Sequence, residues 1–195
     1  MNKKKVFTAA MAVTLILTFT GTAVPSWAAS KEDIKKEQDD IRNMSKETLS
    51  QLYKVQSSAK EVISKAAGYA VFSNFGMKIL VAGSGTGKGI AVNNKSKKET
   101  FMKMVEVQAG LGFGIKKFRL VWVFENEKLL TDFINSGWEF GAQASASAKA
   151  SDQGGGLAGA LSVKPGIWIY QLTDDGLALE LTGKGTKYYK DDNLN

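Results

Sequence analysis

Phe101-Met102-Lys103-Met104-Val105-Glu106-Val107-Gln108-Ala109-Gly110-Leu111-Gly112-Phe113-Gly114 decides the fold class. Val105, Val107, Ala109, Leu111 and Phe113 fall on one side, and Glu106, Gln108, Gly110, Gly112 and Gly114 on the other. A two-residue period belongs to a pleated strand, because a helix would scatter the same residues around its circumference. The same period returns at 142–150, where alanine alternates with Gln, Ser, Ser and Lys, and at Leu177, Leu179 and Leu181. Shorter apolar runs at 69–72, 77–82, 89–92, 118–124 and 166–172 read as further strands, and the unbroken run 118–124 as one buried on both faces. Asn93 to Glu99 forms a polar, basic loop, and Asp174-Asp175-Gly176 suits a hairpin turn.

Ahead of the strands the composition changes. Residues 31–67 hold no Gly or Pro and are rich in Lys, Glu, Gln and Ala, which favour helix. Leu49, Leu52, Tyr53 and Val55 mark an apolar face. Ser58-Ala59-Lys60-Glu61 fits a capping box that starts a second helix, and Gly68 supplies its stop. Within 31–44 only Ile34, Ile41 and Met44 are apolar at helical spacing, so that part reads as a solvated helix. Asn126 caps a later helix with Leu129, Leu130, Phe133 and Ile134 inward, and Gly137 ends it. The fold expected is α+β, with N-terminal helices packed on a strongly coiled, mainly antiparallel, barrel-like sheet.

The first residues read as a targeting segment. Lys3, Lys4 and Lys5 precede an apolar run from Val6 to about Phe19, and Ser26 and Ala28 suit the positions read by signal peptidase. The run falls short of the roughly 20 residues that span a bilayer. The expected organisation is a signal peptide at 1–28, a helical segment at 29–57 and a folded domain at 58–195. The protein would then be periplasmic or secreted. Cleavage would leave 23 basic and 19 acidic residues, with the excess in the front half: residues 29–100 carry +5 and residues 101–195 carry −1. A basic front half is suited to an anionic membrane surface.

Composition excludes several chemistries. The chain of 195 residues has no cysteine and no histidine, which removes disulfides, thiolate nucleophiles, Cys-ligated zinc and the usual general base. Ala82-Gly83-Ser84-Gly85-Thr86-Gly87-Lys88-Gly89 imitates a phosphate-binding loop, but Ala82 stands where the fingerprint needs its first glycine and Gly89 where it needs a hydroxyl. Glycines at 83, 85, 87 and 89 instead keep strand period. Asp174-Asp175 and Asp191-Asp192 read as turn and tail residues, and no nucleophile elbow surrounds any serine. No catalytic residue, cofactor, metal site, nucleotide or nucleic-acid partner is expected.

One resemblance spans nearly all of 58–195. Ser64-Lys65-Ala66-Ala67-Gly68-Tyr69-Ala70-Val71-Phe72 resembles the opening signature of the SYLF domain, a lipid-binding family. The glycine-rich 83–89, Leu111-Gly112-Phe113-Gly114, 120–124, the helix at 129–133, 167–170, Gly176-Leu177-Ala178-Leu179 and 183–189 follow in the family's order. The Ala/Ser strand and Lys187-Tyr188-Tyr189-Lys190-Asp191-Asp192 are similar to the exported bacterial branch. The resemblance implies affinity for anionic lipid: phosphoinositide or phosphatidic acid in eukaryotic relatives, some of which act on actin. An exported bacterial-type chain would meet neither phosphoinositides nor cytoskeletal actin, so anionic phospholipid or a similar envelope surface is the partner that carries over. Basic residues near the N-terminal helices would make the contact: Lys35, Lys36, Lys46, Lys60 and Lys65, with Lys88, Lys116, Lys117 and Arg119 as a second group. An acyl pocket would have to come from the helix–sheet interface. The alternative is an envelope structural or protein-interaction domain whose glycine and alanine faces serve packing alone.

Overall fold

A computed structural model describes residues 30–75, 84–107, 118–140, 157–174, 176–178 and 185–195. The expected signal peptide, the 77–82 run, the strand beyond Val107, the alternating 142–150 segment, Leu179 and Leu181 lie outside the described residues. The chain runs α1 (Lys31–Val55), α2 (Ser58–Lys65), β1 (Gly68–Phe75), β2 (Ser84–Asn93), β3 (Glu99–Val107), β4 (Arg119–Phe124), α3 (Glu127–Ser136), β5 (Trp138–Phe140), β6 (Leu161–Lys164), β7 (Ile167–Thr173), β8 (Gly176–Ala178) and β9 (Gly185–Lys190). All nine strands join one sheet in the order β5-β9-β3-β2-β1-β4-β7-β6, with β8 beside β6 on the same edge of β7. Every described pair is antiparallel. The fold is α+β with a coiled sheet, as the sequence implied.

The coiling follows from one distance. Trp122 on β4 and Tyr188 on β9 stand four strands apart in the sheet order, which is about 19 Å in a flat sheet at the usual strand spacing. Their ring centroids are 5.1 Å apart. The sheet therefore curls into a half-barrel and brings the two rings together on its concave side. Phe133 of α3 enters this concavity, with ring centroids 4.9 Å from Phe124, 5.5 Å from Tyr188, 5.6 Å from Trp122 and 6.2 Å from Phe72. Ala70, Met102, Met104, Leu120, Leu130, Ile167 and Ile169 complete this core.

The convex side carries α1 and α2. Leu52, Ala59 and Ile63 bury against Val71, Val121, Val123, Tyr170 and Leu172, while Ile41 packs with Ile90, Phe101 and Leu194. β1 and β4 are therefore covered on both faces, and β4 is buried from Leu120 to Phe124. Tyr170 is fully buried among aliphatic groups, and its hydroxyl has no hydrogen-bond partner among the described residues. Burial pushes the phenol pKa up. Removing an unsatisfied buried hydroxyl relieves its desolvation penalty, so Tyr170→Phe is expected to gain about 1 kcal/mol and raise Tm by roughly 2–4 °C. Thermal unfolding checks this; a lowered Tm would mean the hydroxyl is held by a partner.

Four local expectations are corrected. The capping box falls at the start of α1: Ser30 Oγ accepts from Asp33 N–H (3.1 Å), and Ser30 N–H donates to Asp33 Oδ2 (3.2 Å). At α2 the chain enters through Ser57 in helical conformation, Ala59 N–H is already bonded to Gln56 O, and Glu61 pairs with Lys65. Gly68 opens β1 instead of capping α2, whose C-cap is Ala66. The 31–44 stretch is not a solvated helix apart from the core, since Ile41 is buried and Ile34 and Met44 pack beside it. Val55, by contrast, is 52% exposed and leaves the predicted apolar face. Asn126 and Gly137 cap α3 as read, with Leu129 N–H donating to Asn126 Oδ1 (3.0 Å) and Gly137 at φ 60°.

Candidate functional site

The two faces of β2 are chemically different. Gly87, Gly89 and Ala91 turn toward the concave core, while Thr86, Lys88 and Ile90 turn toward α1. β2 is a strand in an antiparallel sheet, without the following helix that a phosphate-binding loop requires. Its glycine positions 87 and 89 are not a cavity, because Met104 and Phe72 occupy the space that Cβ atoms would take.

On the convex side, cross-strand pairing builds a row across five strands: Tyr189, Lys103, Lys88, Ser73 and Arg119 stand in register from β9 to β4. Lys88 and Lys103 are directly opposite, an arrangement that like charges resist unless neutralised. Each has a carboxylate. Lys88 Nζ lies 2.5 Å from Glu37 of α1, and Lys103 Nζ lies 2.8 Å from Asp191. Arg119 donates to Gln51 Oε1 (3.1 Å) and stands 3.9 Å from Glu47, both on α1. α1 thus crosses the sheet over three cations and supplies acids to two of them. The pairs to α1 are partly exposed, so each contributes at most about 1 kcal/mol.

Asp191 differs, being 2% exposed. It is not the tail residue the sequence suggested: its carboxylate also accepts Asn193 N–H (3.1 Å), and its backbone N–H bonds Phe101 O (2.9 Å). The hydrogen bond to Asp191 holds the Lys103 ammonium above the ordinary lysine pKa. The following residues are fastened too. Asn195 pairs with both backbone groups of Phe101, Leu194 is buried, and Gln38 of α1 donates to Leu194 O (2.8 Å).

Between α1 and this row lies a cleft of about 520 Å³ lined by Glu37, Asp40, Ile41, Met44, Thr86, Gly87, Lys88, Lys103, Met104 and Tyr189. Its walls are mainly apolar and its charges converge at one level of the sheet. Such a cleft suits a ligand with an apolar body and a polar end.

The structure gathers only part of the predicted basic set. Lys35, Lys36, Lys46 and Lys60 are exposed and make no ion pair among the described residues. Lys65 pairs with Glu61 on an exposed helix face. Lys88 and Arg119 come together in the sheet row with Lys103 and Tyr189, and Asp191 pairs with Lys103 from beyond β9; none of these three is among the predicted site residues. Lys116 and Lys117 lie outside the described residues. Among the described residues no group of three or more carboxylates is placed to hold a metal ion, and no helix is long and apolar enough to cross a membrane.

Fold and site define an α+β protein with a helix-covered half-barrel sheet and an amphipathic cleft at the helix–sheet interface. No family model matches the chain. It is 33% identical over 160 residues to Beta cell expansion factor A of Aeromonas veronii, an alignment covering 79% of this chain and 57% of that protein.

Proposed function

We propose that the protein is a non-catalytic, peripheral lipid-binding module of the SYLF type that meets anionic phospholipid at the bacterial envelope after export. The cleft under α1 carries the reading. It lies at the helix–sheet interface, where an acyl pocket would have to be, and sets apolar wall from Ile41 and Met44 beside the Lys88–Glu37 and Lys103–Asp191 pairs. The exposed lysines of α1 and α2 add charge that a head-group surface attracts by about 1 kcal/mol per residue near it. The ordered SYLF-like motifs and the basic, apolar and small-residue order of residues 1–28 support the family and the location.

Co-sedimentation with phosphatidylcholine vesicles, with and without phosphatidylglycerol, tests the reading. Binding is expected only to the anionic vesicles and should weaken between low and physiological salt as the Debye length shortens. Reversal of Lys35, Lys36, Lys60 and Lys65 to Glu should lower affinity about tenfold or more while leaving the thermal transition in place. A folded protein that binds neither vesicle overturns the reading and leaves an envelope structural or protein-interaction domain.

A further inference from the structure

The basic excess of the front half is not on its longest helix. α1 carries six basic and six acidic residues, so its surface is balanced. The turn between β2 and β3 is different: Lys95, Lys97 and Lys98 occupy three of four consecutive positions with no acid among them. All three are exposed and make no ion pair among the described residues. Of the acids beside the turn, Glu99 pairs with Arg42 (2.8 Å) and Glu127 accepts a hydrogen bond from Asn93 Nδ2 (3.3 Å).

The turn is held firmly. Asn93 Oδ1 accepts the N–H groups of Lys95 and Ser96, and Lys97 N–H bonds Asn93 O (2.9 Å). Asn94 Nδ2 donates to Ile63 O (2.7 Å) and Ala66 O (2.9 Å), which clamps the turn to the end of α2 beside Lys65. Lys97 stands at φ 58°, the only non-glycine residue with positive φ among the described residues. Glycine would adopt that conformation at a saving of roughly 1 kcal/mol. A lysine at a position suited to glycine, between two other lysines, points to use of its charge.

We infer that this turn, with Lys65 beside it, is the docking edge that meets the phosphate groups of an anionic bilayer. The inference rests on the lipid-binding reading above and names the surface that performs it. A convex turn encloses no single anion, and residues 93–98 include no aromatic ring on which a nucleic-acid base would stack. Dispersed lysine point charges match phosphates spread over a plane.

The test compares two triple variants on equimolar phosphatidylglycerol–phosphatidylcholine vesicles. Lys95→Glu/Lys97→Gly/Lys98→Glu is expected to lower affinity at least about 100-fold, since five charge units change at the contact. Its thermal transition should stay level or rise, because Lys97→Gly relieves the turn. Lys35→Glu/Lys36→Glu/Lys46→Glu on α1 should lose at least about tenfold less than the turn variant. Inorganic phosphate should release bound protein no better than chloride at equal ionic strength. Loss confined to the α1 variant, or selective release by phosphate, overturns the docking edge while leaving lipid binding intact. Failure of the unaltered protein to bind removes the reading on which the edge rests.

Discussion

Gly89→Ala is expected to destabilise the protein by about 3 kcal/mol or more, lowering the urea midpoint with the slope unchanged if folding remains two-state. An added Cβ at Gly89 would run into Val71 O and the Phe72 ring, with Phe72 Cε1 at 2.7 Å. The carbonyl belongs to the β1–β2 ladder, where Gly89 stands opposite Phe72, and cannot retreat without breaking register. Nor can the ring swing away, because it packs edge-on against Tyr188 at 4.8 Å between centroids and against Phe133 at 6.2 Å. The new methyl would force the aromatic cluster that closes the half-barrel. Thr86→Ala, an exposed change on the same strand but the opposite face, should stay within about 0.5 kcal/mol. Equal losses at the two positions would overturn the packing argument.

That residue also shows how far periodicity reaches. Glycines at alternate positions were legible as strand, and the β1, β4 and α3 patterns were legible because each is bounded by a chemical signal: apolar runs, Asn126, Gly137. Which face of β2 packs against what was not, since it depends on Phe72 and Met104 arriving from neighbouring strands. The charge row has the same origin. Folding β2 and β3 back about the Asn93–Lys98 turn places Lys88 opposite Lys103, so that pair was available to a register argument once the hairpin had been recognised. Glu37 and Asp191 were not, because neither the crossing of α1 nor the path of residues 191–195 is a local property of sequence. The basic loop at 93–99 is legible from its composition, whereas a count of basic residues does not reveal that those of α1 are interleaved with six acids.

Lys103→Met should be about as damaging as the glycine change, for an electrostatic reason. The substitution keeps a long side chain over the sheet but strips the ammonium from Asp191, a carboxylate that is 2% exposed. Asn193 N–H remains its one described hydrogen-bond donor. An unpaired buried charge left by removing one partner costs about 3–5 kcal/mol. Changing both residues, Lys103→Met/Asp191→Asn, should recover most of the loss, and a double-mutant cycle in urea measures the coupling. The pH dependence has a defined sign. Lys103 has a raised pKa in the folded state, so its contribution is fully present below the unfolded lysine value and declines only as pH rises through the folded one. The unaltered protein should therefore show no loss from this pair at neutral pH and a loss in strong alkali. If the Asp191→Asn change recovers none of the loss, the effect belongs to packing of the lysine stem instead of to the ion pair.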